Sequence, residues 1–71
     1  MNTEELKAAF KSGAPVECGG IVYKCITAII YRKAGNGIKI QAELQDRNTN
    51  SVSICNPDKI TIAEGGFERV Q

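Results

Sequence analysis

Three cysteines, no histidine and eight scattered carboxylates are all that this 71-residue chain offers to covalent or acid–base chemistry. A nucleophilic cysteine needs a neighbouring base or cation to form its thiolate, and imidazole, the commonest such base, is missing. Cys18, Cys25 and Cys55 are spaced neither as a zinc knuckle nor as a Cys-x-x-Cys redox pair, so they read as small, reduced core residues. The chain has no Gly-x-Ser-x-Gly elbow and no phosphate-binding loop ending in lysine. These residues point away from an enzyme, with no catalytic residue, no metal and no cofactor, and toward binding.

The binding chemistry available is cationic. Net charge is only +1, but from Lys24 to Arg47 five basic residues face Glu43 and Asp46, a local excess of +3. Within that stretch Tyr31, Arg32 and Lys33 put an aromatic ring beside two cations at a strand end, and Arg47 and Asn48 lie in a further loop. A tyrosine offers a π-face and an arginine a planar fork, which together suit a phosphate and a stacked base. Tyr31, Arg32, Lys33, Arg47 and Asn48 are therefore the expected ligand-binding residues, although the alternation pattern turns Tyr31 inward.

The elements that must position them follow from local signals. Thr3 or Asn2 can cap a helix, Asn2 with Glu5 three residues on also fits a capping-box pattern, and Gly13 stops it, giving a helix over 3–12 with Leu6, Ala9 and Phe10 as its apolar stripe. Beyond Gly13 the bias to Ile, Val and Thr disfavours helix and suits strands. Gly19-Gly20 reads as a tight hairpin turn, followed by a long strand from Ile21 to about Lys33. Ala34 to Gly37 is the second turn, and Ile38 to Gln45 alternates with Ile38, Ile40, Ala42 and Leu44 on one face.

Pairing across that turn places Thr27, Ile29 and Tyr31 on the core face with Leu44, Ala42 and Ile40. An odd-numbered loop at Arg47-Asn48-Thr49, with Asn48 in a left-handed conformation, would pair Leu44 with Val52 and bring Val52 and Ile54 into the core. Asn56-Pro57-Asp58-Lys59 is a turn, and Ile60 to Ile62 a short last strand.

The expectation is one mainly β domain over 1–63, an N-terminal helix followed by five antiparallel strands, with 64–71 as a flexible tail. Val22, Ile26, Ala28 and Ile30 would then form a second apolar face on the long strand. Val22, Ile26 and Ile30, with Leu6 and Phe10, are the expected interface residues, and a core this small predicts self-association. No apolar run reaches membrane-span length and the acidic start lacks a secretory signal, so a cytoplasmic protein with no membrane partner is expected.

The order of elements resembles small SH3-like and Sm-like barrels, in which a short last strand closes the sheet. The run Gly20 to Lys33 (GIVYKCITAIIYRK), with Gln41 to Asp46 (QAELQD) and Asn50 to Val52 (NSV), resembles short accessory proteins encoded by bacterial phages and prophages. That resemblance implies a role inside the bacterial host, often against host defence: holding a signalling nucleotide or nucleic acid, or else inhibiting a host enzyme through the apolar strand face, or serving as a structural phage component. No motif carries a functional residue over.

Overall fold

The computed structural model describes residues 1–63; the expected C-terminal tail, 64–71, lies outside them. Helix α1 spans Thr3–Ser12. The Asn2 side-chain oxygen accepts from the Glu5 N–H at 2.8 Å, and the Glu5 carboxylate accepts from the Asn2 N–H at 3.0 Å, so two otherwise orphaned donors are satisfied reciprocally. At the other end Gly13 takes φ +74 and its N–H donates to the Ala9 carbonyl, closing the last turn. Leu6 and Ala9 are buried, whereas Phe10 stays exposed. The helix lies against the third strand. Among the described residues no helix is long and apolar enough to cross a membrane.

Six strands follow among the described residues: β1 Val16–Cys18, β2 Ile21–Tyr23, β3 Cys25–Ala34, β4 Gly37–Gln45, β5 Val52–Cys55 and β6 Ile60–Ile62, with a 3₁₀ turn at Pro57–Lys59 before the last. They form two three-stranded antiparallel sheets, β2-β1-β6 and β3-β4-β5. The fold is thus mainly β with one N-terminal helix, but the five strands closed into one barrel are not what is found. The expected strand from Ile21 to Lys33 is broken at Lys24, whose N–H donates to the Gln45 carbonyl at 2.8 Å, and its two parts join different sheets.

Two registers depart from the alternation pattern. Across the β3–β4 hairpin, Ile29 pairs with Ala42 and Tyr31 with Ile40 as expected, but Ala28 pairs with Glu43 and Ile26 with Leu44, leaving Thr27 as a bulged residue. One extra residue switches the face of everything beyond it, so Ile26 enters the core and Thr27 turns out to solvent. The Thr27 hydroxyl donates to the Glu43 carboxylate at 2.8 Å there.

In the β4–β5 hairpin, Leu44 pairs with Ser53 and Gln45 with Val52, one residue away from the expected register. The loop between them has six residues, closed by the Asp46 N–H donating to the Ser51 carbonyl. Inside it the Asp46 carboxylate accepts from the N–H groups of Asn48 and Thr49. Asn48 does not take the left-handed conformation, since no described non-glycine residue has positive φ. The even-numbered loop puts Val52 and Ile54 beside Gln45 and Glu43 on the outer face, 49% and 44% exposed, rather than in the core.

The core sits between the two sheets and under α1. Leu6, Val16, Leu44 and Ile60 are fully buried at its centre, with Ala9, Cys18, Tyr23, Ile26 and Ala42 around them. Leu6 and Ile26 are therefore internal residues, not exposed ones. Val22 lies on the β2-β1-β6 sheet and Ile30 on the other, so the continuous apolar strand face expected from Val22, Ile26 and Ile30 is split by the break at Lys24 and the bulge at Thr27.

Candidate functional site

The domain is elongated, 47 × 24 × 21 Å. Its longest strands, β3 with ten residues and β4 with nine, form one hairpin. β5 reaches only as far as Ala42, so among the described residues the part of the hairpin from Ala42 to its tip has two strands and no third. At about 3.3 Å per residue, the seven steps from Ala42 to Gly35 span about 23 Å. That length matches the difference between the long axis and the next one. Residues 31–39 are all exposed.

The tip is a two-residue loop, Gly35-Asn36, closed by the pair Ala34 and Gly37. Gly35 takes φ +58 while Asn36 does not take positive φ, the arrangement of a type II′ turn, whose twist matches that of the flanking strands. In such a hairpin the closing pair is hydrogen-bonded and pairs alternate from there. Arg32 with Lys39 and Ile30 with Gln41 fall at hydrogen-bonded positions. Tyr31 with Ile40 and Lys33 with Ile38 fall at the closer, non-hydrogen-bonded ones.

Each face of this arm has its own chemistry. One face continues the core outward through Ile29 and Ile40, which pack against it, to Tyr31, 54% exposed, and Ile38, 70% exposed, with Lys33 beside Ile38. The reverse face carries Arg32 directly opposite Lys39. The Arg32 Nε donates to the Gln41 side-chain oxygen at 2.9 Å, and the Gln41 amide donates in turn to the Asn56 side chain at 3.5 Å, so the guanidinium is tethered along the strand. Between Ala28 and Gln41 there are three cations and no acidic residue.

Tyr31, Arg32 and Lys33 are therefore together on one arm, and Tyr31 shares the face of Ile40 but is not the inward core residue expected, because the core ends before reaching it. Arg47 and Asn48 are not with them. Six strand steps carry β4 from Lys39 to Gln45, about 20 Å, and Arg47 and Asn48 lie in the loop beyond. Lys39, Ile38 and Gln41 complete the arm and were not singled out from the sequence. The signal for Lys39 is the hairpin register itself, which sets it opposite Arg32 whenever Ala34 pairs with Gly37.

Two other sites are chemically poor. A cavity of about 630 Å³ opens between α1 and β6, lined by Met1, Glu5, Ala8, Ser12, Ile60 and Ile62 among others. Its cationic group, the N-terminal ammonium, donates to the carbonyls of Pro57 and Ile60, and its charged side chain is the Glu5 carboxylate. The cysteines are free thiols. Burial, together with the neighbouring Cys18 thiol, pushes Cys55 up to about 11 against the pull of Lys59, which disfavours a nucleophilic thiolate. Among the described residues no three His, Cys, Asp or Glu side chains gather as a metal site. Comparison with family models, curated protein sequences and solved structures finds no match for this chain.

Proposed function

We propose that this protein is a non-catalytic binding protein that holds a polyanion along the projecting β3–β4 arm, with nucleic acid as the ligand class. The observation that carries the reading is the placement of Arg32 directly opposite Lys39, with Lys33 adjacent and no acidic residue along the arm. Like charges directly opposite on a sheet are destabilising, and bound phosphates would relieve the repulsion. A small signalling nucleotide is less well served, because the cations lie on an open ribbon while the cavity beside α1 presents a carboxylate. The finer reading of the fold belongs to the same proposal. β1 pairs with both β2 and β6, and β2 leads into β3 through Lys24; this connectivity supports reading the two sheets as a small SH3-like or Sm-like barrel opened between them.

The test is fluorescence anisotropy with labelled oligonucleotides. If three phosphates are neutralised, the slope of log affinity against log salt is about −2 on single strands and about −2.7 on duplex, a loss of roughly 20- to 40-fold between 50 and 200 mM salt. Arg32→Glu or Lys39→Glu is expected to weaken binding at low salt and flatten that slope. Arg47→Glu, in the loop past the far end of β4, about 20 Å along the strand from Lys39 and beyond a Debye length of about 8–10 Å, is expected to change little. Binding that ignores Arg32 and Lys39 but needs Arg47 would refute the assignment. A second reading, contact with a host protein through the apolar face of the arm, is favoured by the exposure of Ile38 and Tyr31. It predicts a partner whose binding is lost with Ile38→Ser and is indifferent to oligonucleotide.

A further inference from the structure

We infer, resting on the polyanion reading above, that the ligand is single-stranded nucleic acid, its bases stacked on Tyr31 and the adjoining Ile38–Ile40 surface while its phosphates meet Arg32, Lys33 and Lys39. The apolar surface carries the argument. Tyr31 and Ile40 face each other at a non-hydrogen-bonded position, where side chains stand closest, and Ile38 lies next along the same face. More than half of the tyrosine and most of Ile38 is open to solvent although both lie on the strand face that supplies the core. An unstacked base has a face to offer such a platform. A duplex keeps its base faces against one another and presents phosphates and groove edges instead, which would satisfy the cations and leave the ring and Ile38 uncovered.

The distribution of charge supports the same ligand. Lys33 shares the apolar face, whereas Arg32 and Lys39 lie on the reverse. A flexible strand can place bases on one side of a ribbon and run its backbone round the edge to the other. A duplex, stiff over about 150 base pairs, meets one side only. Charge also weighs against a second copy of the chain as the occupant, since two arms laid together would oppose three cations with three.

The experiment compares the affinity of the full chain for a labelled single strand with that for a duplex of the same length, on wild type, Tyr31→Ala, Tyr31→Phe and Arg32→Glu. The readout is the ratio of the two affinities, which is insensitive to a loss of folded protein. The wild type is expected to favour the single strand. Tyr31→Ala is expected to lower single-strand affinity about 5- to 150-fold, the range of one base–aromatic stack, with duplex affinity little changed, and Tyr31→Phe to retain the preference. A ratio that Tyr31→Ala leaves unchanged overturns the inference, and if Arg32→Glu then weakens both ligands the polyanion reading stands without it. Failure of both ligands to bind at low salt overturns the two together and favours a protein on the apolar face.

Discussion

The bulge at Thr27 makes a prediction that inverts what strict alternation would give. In an unbroken register Thr27 sits in the core and Ile26 on the opposite face; with the bulge, Ile26 is 3% exposed opposite the fully buried Leu44, and Thr27 is outside. Removing the Ile26 side chain beyond Cβ deletes buried methyl and methylene groups and leaves a cavity under α1, at a cost of about 2–5 kcal/mol. A chain of this length has about 4–11 kcal/mol of stability in total. Ile26→Ala therefore removes about a fifth of it or more, and a loss near 3 kcal/mol lowers Tm by roughly 12–24 °C. Thr27→Ala loses an exposed hydroxyl that donates to Glu43, an effect expected within about 1 kcal/mol. Urea denaturation followed by circular dichroism measures both. The reasoning is refuted if Thr27→Ala is the costly change and Ile26→Ala is near neutral.

Two further outcomes test the turn and the thiols. Gly35→Val places a β-branched residue at φ +58 and is expected to fray the arm, read as lost amide protection at Arg32 and Lys39; Gly37→Ala, with no positive φ and nothing near its new Cβ, is expected to leave protection intact. The Cys55 thiol, raised from 9.0 to about 11 on folding, holds its proton more tightly in the native state, so its contribution is whole below pH 9 and lost as pH climbs toward 11. Cys55→Val is expected to shrink that alkaline fall in stability, and an unaltered pH profile in the variant would refute this account.

Much of the local structure was legible because single residues determine it. Asn2, Glu5 and Gly13 set the ends of α1. Gly19 and Gly20, both at positive φ, make the first hairpin turn. The second hairpin closes at Ala34 and Gly37, inside the stretch where a turn was expected. What was not legible depends on parity. A bulge inserts one residue without any composition of its own, so nothing near Thr27 distinguishes it from a regular strand residue. The β4–β5 register likewise turns on whether the loop is odd or even. That was decided by the Asp46 carboxylate gathering the N–H groups of Asn48 and Thr49, which suits six residues, rather than by a left-handed Asn48 in a loop of three. A unit error in each place moved Ile26 inward and Val52 and Ile54 outward, which is why the interface expected from Val22, Ile26 and Ile30 has no continuous surface to occupy.

The arm shows a different reason for illegibility. Its residues obey every local rule: Ile38 and Ile40 alternate with Lys39 and Gln41 as in a half-buried strand, and Tyr31 takes the face of Ile29. The pattern says which side is apolar but not where the cover stops. Cover stops because β4 runs for nine residues and β5 for four. β5 ends at Cys55, two residues before Pro57, which has no N–H to donate and starts the 3₁₀ turn that carries the chain across to pair with β1. Had β5 continued past Asn56, its next residues would have flanked Ile40 and Ile38 and made the arm an ordinary three-stranded sheet. Pro57 thus decides that Tyr31 and Ile38 are exposed while lying on the core face. An isolated two-stranded ribbon is marginal in water, and here it also carries two cations opposed at Arg32 and Lys39. Among the described residues, apolar surface without cover and like charges without a counter-charge coincide on residues 31–39, and the proposed ligand with bases and phosphates would answer both.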